Sequence, residues 1–158
     1  MSTLTADDDR PSVIARPPLI FLTFLLFAAA LHLVSPFPLM AEWLRPVLAL
    51  PALACGILLM LSAVRRFRDA GTNIPTPMPT LRLVTGGVYR YSRNPMYLSL
   101  SLIYLGFAAG LNSLWALLLF LPLQLILHVG VILREEAYMA EKFGLAYQRY
   151  RARVPRWL

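Results

Sequence analysis

The sequence predicts an all-α integral membrane protein with about four transmembrane helices, a helical hairpin formed by spans three and four, and a C-terminal interfacial helix. Three observations lead there. Hydrophobic residues make up 58% of the 158 residues and the mean hydropathy is +0.62, far above the apolar share of a soluble globular domain. The apolar residues fall into four runs, Pro18 to Ser35, Pro46 to Val64, Pro95 to Leu111 and Ser113 to Leu133, of 18, 19, 17 and 21 residues. Each is close to the ~20 helical residues that cross a ~30 Å hydrocarbon core, where helices satisfy their own backbone groups. The 15 lysines and arginines lie outside these runs.

Residues 1–17 carry Asp7, Asp8 and Asp9, then Arg10 and Arg16, with Pro11 and Pro17. They read as a disordered tail, and residues 18–158 as one membrane domain. The acids before the first apolar run argue against a cleaved signal peptide. Pro51 and Pro122 fall inside runs two and four, where they can kink a helix. Asn112 alone separates runs three and four, so these two form an antiparallel hairpin. Two basic residues precede run one, Arg45 lies between runs one and two, six lie from Arg65 to Arg93 and six from Arg134 onward. With four spans this distribution puts the N-terminus, the central loop and the C-terminus on the cytoplasmic side. The formal charge of +7 is thereby assigned to topology and anionic headgroups, with no call for nucleic acid.

The central loop, Arg65 to Asn94, contains Pro75, Pro77 and Pro79, which hold the backbone extended. Its end, GGVYRYSRNPMY from Gly86 to Tyr97, is the most informative stretch. Asn94 is a favoured N-cap and Pro95 a favoured first helical residue. A helix start beside Arg93 offers free N–H groups to a small anion such as a carboxylate; the other reading of these residues is an interfacial loop among lipid headgroups. Gly86 and Gly87 permit a tight turn. The hairpin brings Asn94 to Tyr97 beside Glu135 and Glu136, which form either a functional carboxylate pair or a solvated turn with Arg134 as counter-ion. Met139, Phe143, Tyr147 and Tyr150 share one helical face, as in an interfacial helix that Gly144 can interrupt.

Other chemistry finds little support. His32 and His128 lie inside runs one and four with no ligand spacing around them and read as interhelical hydrogen-bonding residues. Tyr104 shares a face with Tyr97 and reads as packing. Cys55 is the single cysteine and lies in an apolar run, which leaves no disulfide and no cysteine metal site. GxGxxG, Walker A, GxSxG and HExxH patterns are absent.

Taken together, LVTGGVYRYSRNPMY, the paired glutamate after the last run and the terminal FGLAYQRYRARVPRW resemble the isoprenylcysteine carboxyl methyltransferase family and its bacterial relatives, which share features with phospholipid N-methyltransferases. The resemblance covers about residues 71–158. It implies an S-adenosylmethionine-dependent membrane methyltransferase in a bacterial cytoplasmic membrane, with a lipid or lipidated acceptor and no metal. It places cofactor contacts on Leu81, Arg82, Leu83, Val84, Tyr89, Asn94, Pro95, Met96, Tyr97 and Glu135, and offers Arg134 as a substrate anchor; no catalytic residue is assigned. Asn94 stands where many members have histidine, Ser99 where glycine is common, Leu81 at a usually polar contact, and Val131 where the family's substrate arginine falls. Carboxyl O-methylation of an isoprenylcysteine-like substrate is the leading expectation. Phospholipid amine N-methylation and a non-enzymatic headgroup-binding scaffold are the alternatives.

Overall fold

The computed structural model describes residues 11–74 and 78–158, and among these every regular element is a helix, with one isolated antiparallel bridge between Pro38 and Ser113. Helix α1 spans Pro17–Val34, α2 Leu44–Asp69, α3 Pro95–Gly110 and α4 Leu114–Leu127; a π-helical turn, His128–Ile132, then runs without a break into α5, Leu133–Arg153. Three of these helical stretches, Pro17–Val34, Leu44–Asp69 and Leu114–Arg153, are long and apolar enough to cross a membrane, and α3 is a shorter apolar helix. The chain is thus a multi-pass membrane protein.

Prolines start α1 and α3, where a missing N–H costs nothing. Ser113 caps α4 through its hydroxyl, which accepts from the Ala116 N–H. Between α3 and α4 the chain reverses at Asn112, whose φ of 51° suits asparagine. Along their length, however, α3 packs mainly on α2 and α4 mainly on α1. Small residues set the α2–α3 approach. A Cβ on Gly56 would lie 2.7 Å from the Ile103 side chain and 3.0 Å from the Ser99 carbonyl, and one on Gly106 would lie 2.7 Å from Leu53, so each glycine admits the other helix. The main core joins α1, α3 and α4 through Phe21, Tyr104, Leu123, Leu127, Val131 and Ile132.

Several sequence expectations change here. Helix α2 continues to Asp69, so Arg65 to Asp69 are helical rather than part of the central loop. Pro75 and Pro77 lie outside the described residues. Residues 11–16, expected at the end of a loose tail, are docked: Ile14 donates its N–H to the Gly130 carbonyl at 3.2 Å, and its side chain fills the space a Cβ on Gly130 would occupy. Of the two histidines, His32 buries an Nδ1 with no hydrogen-bond partner, and His128 Nε2 lies 3.4 Å from Arg156 Nη1 in the C-terminal segment rather than bonding a neighbouring span. Tyr104 is packed as expected, with its hydroxyl donating to the Ala116 carbonyl at 3.0 Å.

Candidate functional site

The site lies at the end of the bundle where α3 begins and α5 leaves the apolar part of its helix. Four segments converge there. The chain from Gly86 makes a 3-10 turn, Gly87–Arg90, against the end of α2. It then forms the Tyr91–Asn94 corner and enters α3. From the other side the C-terminal residues Val154 to Trp157 fold back over that corner. Arg93 donates its N–H to the Pro155 carbonyl at 3.0 Å, and the Ser92 hydroxyl and Asn94 Nδ2 donate to the Arg156 carbonyl at 3.1 and 3.2 Å. Asn94 therefore sits at the N-cap position without capping through its side chain; that amide ties the C-terminus to the helix start instead.

Glu135 and Glu136 do not form a solvated turn. Each is under one-tenth exposed, within a helix continuous with α4. They face different partners. The Tyr97 hydroxyl donates to Glu135 Oε2 at 2.7 Å, which joins the two arms of the hairpin. Glu136 accepts from Arg156 at 2.9 and 2.8 Å and pairs with Arg93 Nη1 at 3.1 Å. Burial alone would push the Glu136 carboxyl up, but the Arg156 hydrogen bonds and the charges of Arg93 and Arg156 hold it below its ordinary value.

The aromatic face of α5 is turned into the protein. Gly144, with φ 50° and ψ −126°, breaks the helix, and beyond it Tyr147, Tyr150 and Val154 pack with Leu83, Met139 and Phe143. The Tyr150 hydroxyl donates to the Tyr89 carbonyl at 2.8 Å. Burial raises the ionisation of both Tyr89 and Tyr150 well above the ordinary tyrosine value, so both stay neutral donors.

These elements enclose a cavity of about 280 Å³, near the lower end of small-molecule sites. Its apolar walls come from Pro17 and Pro18 of α1, from Met60, Val64 and Phe67 of α2 and from Leu100 of α3. Its remaining walls come from the sequence-expected residues Leu83, Val84, Tyr89, Asn94, Pro95, Met96, Tyr97 and Glu135, with Arg93, Glu136, Tyr138, Met139, Tyr147 and Tyr150 beside them. Arg93 carries an orphan: its Nε is buried with no hydrogen-bond partner. A buried unpaired guanidinium N–H at a cavity wall suits an anionic group, and a carboxylate beside aromatic and methionine faces suits a cationic one. Among the described residues no group of three His, Cys, Asp or Glu could hold a metal ion.

Three expected site residues lie elsewhere. Leu81 and Arg82 are exposed and outside the cavity walls; their N–H groups donate to Thr72 Oγ1 at 2.7 and 3.2 Å, which fixes the approach of Leu83 and Val84. Arg134 is exposed and donates to the Ser12 carbonyl at 2.9 Å. Val131, at the position where a substrate arginine would fall, is fully buried in the core. Sequence reasoning passed over the α2 wall and Arg156. Met60, Val64 and Phe67 recur at α-helical steps of four and three, a signal shared by any buried helix face. The VPRW string entered the family resemblance as part of FGLAYQRYRARVPRW, but nothing local singled out Arg156 as a partner for a buried carboxylate.

Known proteins resemble parts of this chain. A protein of Haemophilus influenzae described only as uncharacterized is 43% identical over 63 residues, 40% of this chain and the whole of that protein. The protein-S-isoprenylcysteine O-methyltransferase of Schizosaccharomyces pombe is 37% identical over 73 residues, 46% of this chain but only 31% of the yeast protein. No solved structure gives a significant match. The phospholipid methyltransferase family model matches residues 44–146, from the start of α2 through the buried glutamates, and the chain accordingly belongs to this family of membrane methyltransferases.

Proposed function

We propose that the chain transfers a methyl group from S-adenosylmethionine to a membrane-embedded acceptor, with carboxyl O-methylation of an isoprenylcysteine-like substrate as the leading reaction. The observation that carries this reading is the composition of the cavity at the start of α3. Residues of the apolar helices, Pro18 of α1, Met60 and Val64 of α2 and Leu100 of α3, and the polar set Arg93, Tyr97 and Glu135 line the same space. An acceptor with an apolar body and a polar reacting end fits such walls.

The cofactor, when bound, supplies a methyl group already electrophilic on sulfonium. The chain then has to place a nucleophile in line and exclude water, and well-oriented placement supplies up to ~7–11 kcal/mol of barrier reduction. In this reading the Arg93 Nε–H takes a carboxylate, Tyr89 and Met96 offer flat and polarizable faces, and Glu135 takes hydroxyl or ammonium protons. Leu83, Val84 and Asn94 to Tyr97 complete the cofactor side, and Leu81 and Arg82 hold the preceding strand of chain. The cofactor-binding part extends over about residues 71–158, with α2 closing it. The site would open on the cytoplasmic face.

A carboxylate acceptor needs no base. A phospholipid amine, favoured by the family name, must first lose a proton; in that reading Glu135 would receive it, because both oxygens of Glu136 are engaged by Arg93 and Arg156 and their charges lower its affinity for a proton. Titration calorimetry of the purified protein with S-adenosylmethionine, repeated for Tyr97→Ala and Glu135→Ala, tests the cofactor. The wild type should give a binding isotherm that both variants lose; indistinguishable heats for all three would remove the enzyme reading and leave a headgroup-binding scaffold. Methyl label transferred to membranes should be released by mild base if the product is an ester and retained if it is an N-methyl amine.

A further inference from the structure

The loop that closes the cavity has an outer face. Tyr89 and Phe67 line the cavity, whereas Arg65, Arg66 and Asp69 of α2, together with Arg90 and Tyr91 of the loop, line a different groove of about 430 Å³. Three guanidiniums share this groove with one carboxylate. Among the described residues, no hydrogen bond or ion pair engages the side chains of Arg65, Arg66 or Arg90. Gly87 joins the two walls. Its φ is +63°, and a Cβ there would run into the Arg66 guanidinium, so Arg66 lies directly over the loop backbone.

The surroundings of the groove are apolar on one side only. Arg65 and Arg66 are the first charges after the apolar run of α2. One and two turns before Arg65, Leu61 and Leu58 are 61% and 63% exposed, on the face that leads into the groove. Tyr91 at the rim is 71% exposed, as aromatic residues at a membrane–water boundary are.

We propose that this groove binds the phosphate of an anionic phospholipid, held by Arg65, Arg66 and Arg90, with the acyl chains along Leu58 and Leu61. Guanidinium forks match phosphate oxygens in pairs, and three of them without partners can surround one phosphodiester. The apolar flank favours a lipid over free phosphate, which has no use for exposed leucines. The site stands apart from the methyl-transfer cavity, and occupancy would fix from outside the loop that presents Tyr89 within. It does not depend on which acceptor the cavity takes.

Native mass spectrometry of the full-length protein in neutral detergent tests this, with phosphatidylglycerol, phosphatidylcholine and inorganic phosphate titrated in separate arms. The wild type should retain one phosphatidylglycerol in preference to phosphatidylcholine. Arg66→Gln/Arg90→Gln should weaken that binding by about tenfold or more, a loss in keeping with two charge-assisted hydrogen bonds. Arg149→Gln/Arg153→Gln, which removes two exposed charges elsewhere, should leave it unchanged. All four positions are exposed, and a matching melting temperature verifies folding. Equal losses in the two double variants would mean diffuse charge attraction and overturn the site. Retention of inorganic phosphate as tight as that of the lipid, or of phosphatidylcholine as tight as phosphatidylglycerol, would overturn the anionic-lipid assignment.

Discussion

The two ends of α3 are both polar corners in an apolar bundle, and they are built to opposite purposes. At the Asn112 end one side chain does all the joining. Its Oδ1 accepts from the Leu39 and Met40 N–H groups at 2.9 Å each, and its Nδ2 donates to the Met40 carbonyl and to Glu42 Oε1 at 3.0 and 2.9 Å. Arg45 completes the corner through Glu42 and the Gly110 carbonyl at 3.1 Å. The Asn112 amide has all its partners there. At the Asn94 end the charged groups are more deeply buried than Arg45 and Glu42, yet Arg93 Nε is unpaired and a cavity stands beside it. A buried polar group left unpaired costs stability, so a corner that keeps one next to open space points to a ligand, whereas the saturated corner points to architecture.

Substitutions can break this contrast, and the largest effect is expected where charge is most deeply held. Glu136→Gln leaves Arg93 buried without its counter-charge and should cost about 3–5 kcal/mol, read as a fall in thermal midpoint in detergent. The same carboxylate sets a pH dependence. Its folded value is depressed from 4.5, so its contribution is fully present above 4.5 and is lost as pH falls through the lower folded value. A melting temperature that stays flat through that acid range would argue against the buried triad.

Next comes Asn112→Ala, which strands the Met40 N–H, leaves the Leu39 N–H only the Asn112 backbone carbonyl, and puts alanine at positive φ. A loss of roughly 2–4 kcal/mol is expected, with the heat of S-adenosylmethionine binding per folded molecule unchanged. If cofactor binding fell as well, the two ends would not be separable. Tyr97→Phe removes only the hydroxyl bonded to Glu135. Stability should fall by about 1–2 kcal/mol while label transfer falls more steeply than stability, since the pair lines the cavity. Arg134→Gln should do least, under about 1 kcal/mol for an exposed donor, and transfer rates should match the wild type. A large rise in the acceptor concentration needed for half-maximal rate would instead restore Arg134 to a substrate role.

Much of this was legible in the residues because membrane spans announce themselves. Run length, the Pro95 helix start and the single-residue separator Asn112 set the helices and the hairpin, and the hairpin alone puts Tyr97 near Glu135. Periodicity also put Tyr147 and Tyr150 on one face. It could not say what that face met, because an interfacial helix and a helix folded back over a site show the same spacing.

What the sequence by itself determined is therefore local: where helices begin, which segments are apolar enough to cross a membrane, and which motif belongs to the methyltransferase family. These follow from backbone hydrogen bonding and hydropathy, which act within a few residues. The tertiary structure alone decided that Asn94 ties down the C-terminus instead of capping α3, that Glu136 rather than Glu135 is the arginine-bound carboxylate, and that α2 supplies a cavity wall. It also divided GGVYRYSRNPMY between an inner face at the cavity and an outer arginine groove. Each of these depends on a side chain choosing among partners far apart in the chain, and that choice is fixed by packing and charge balance once the helices have met.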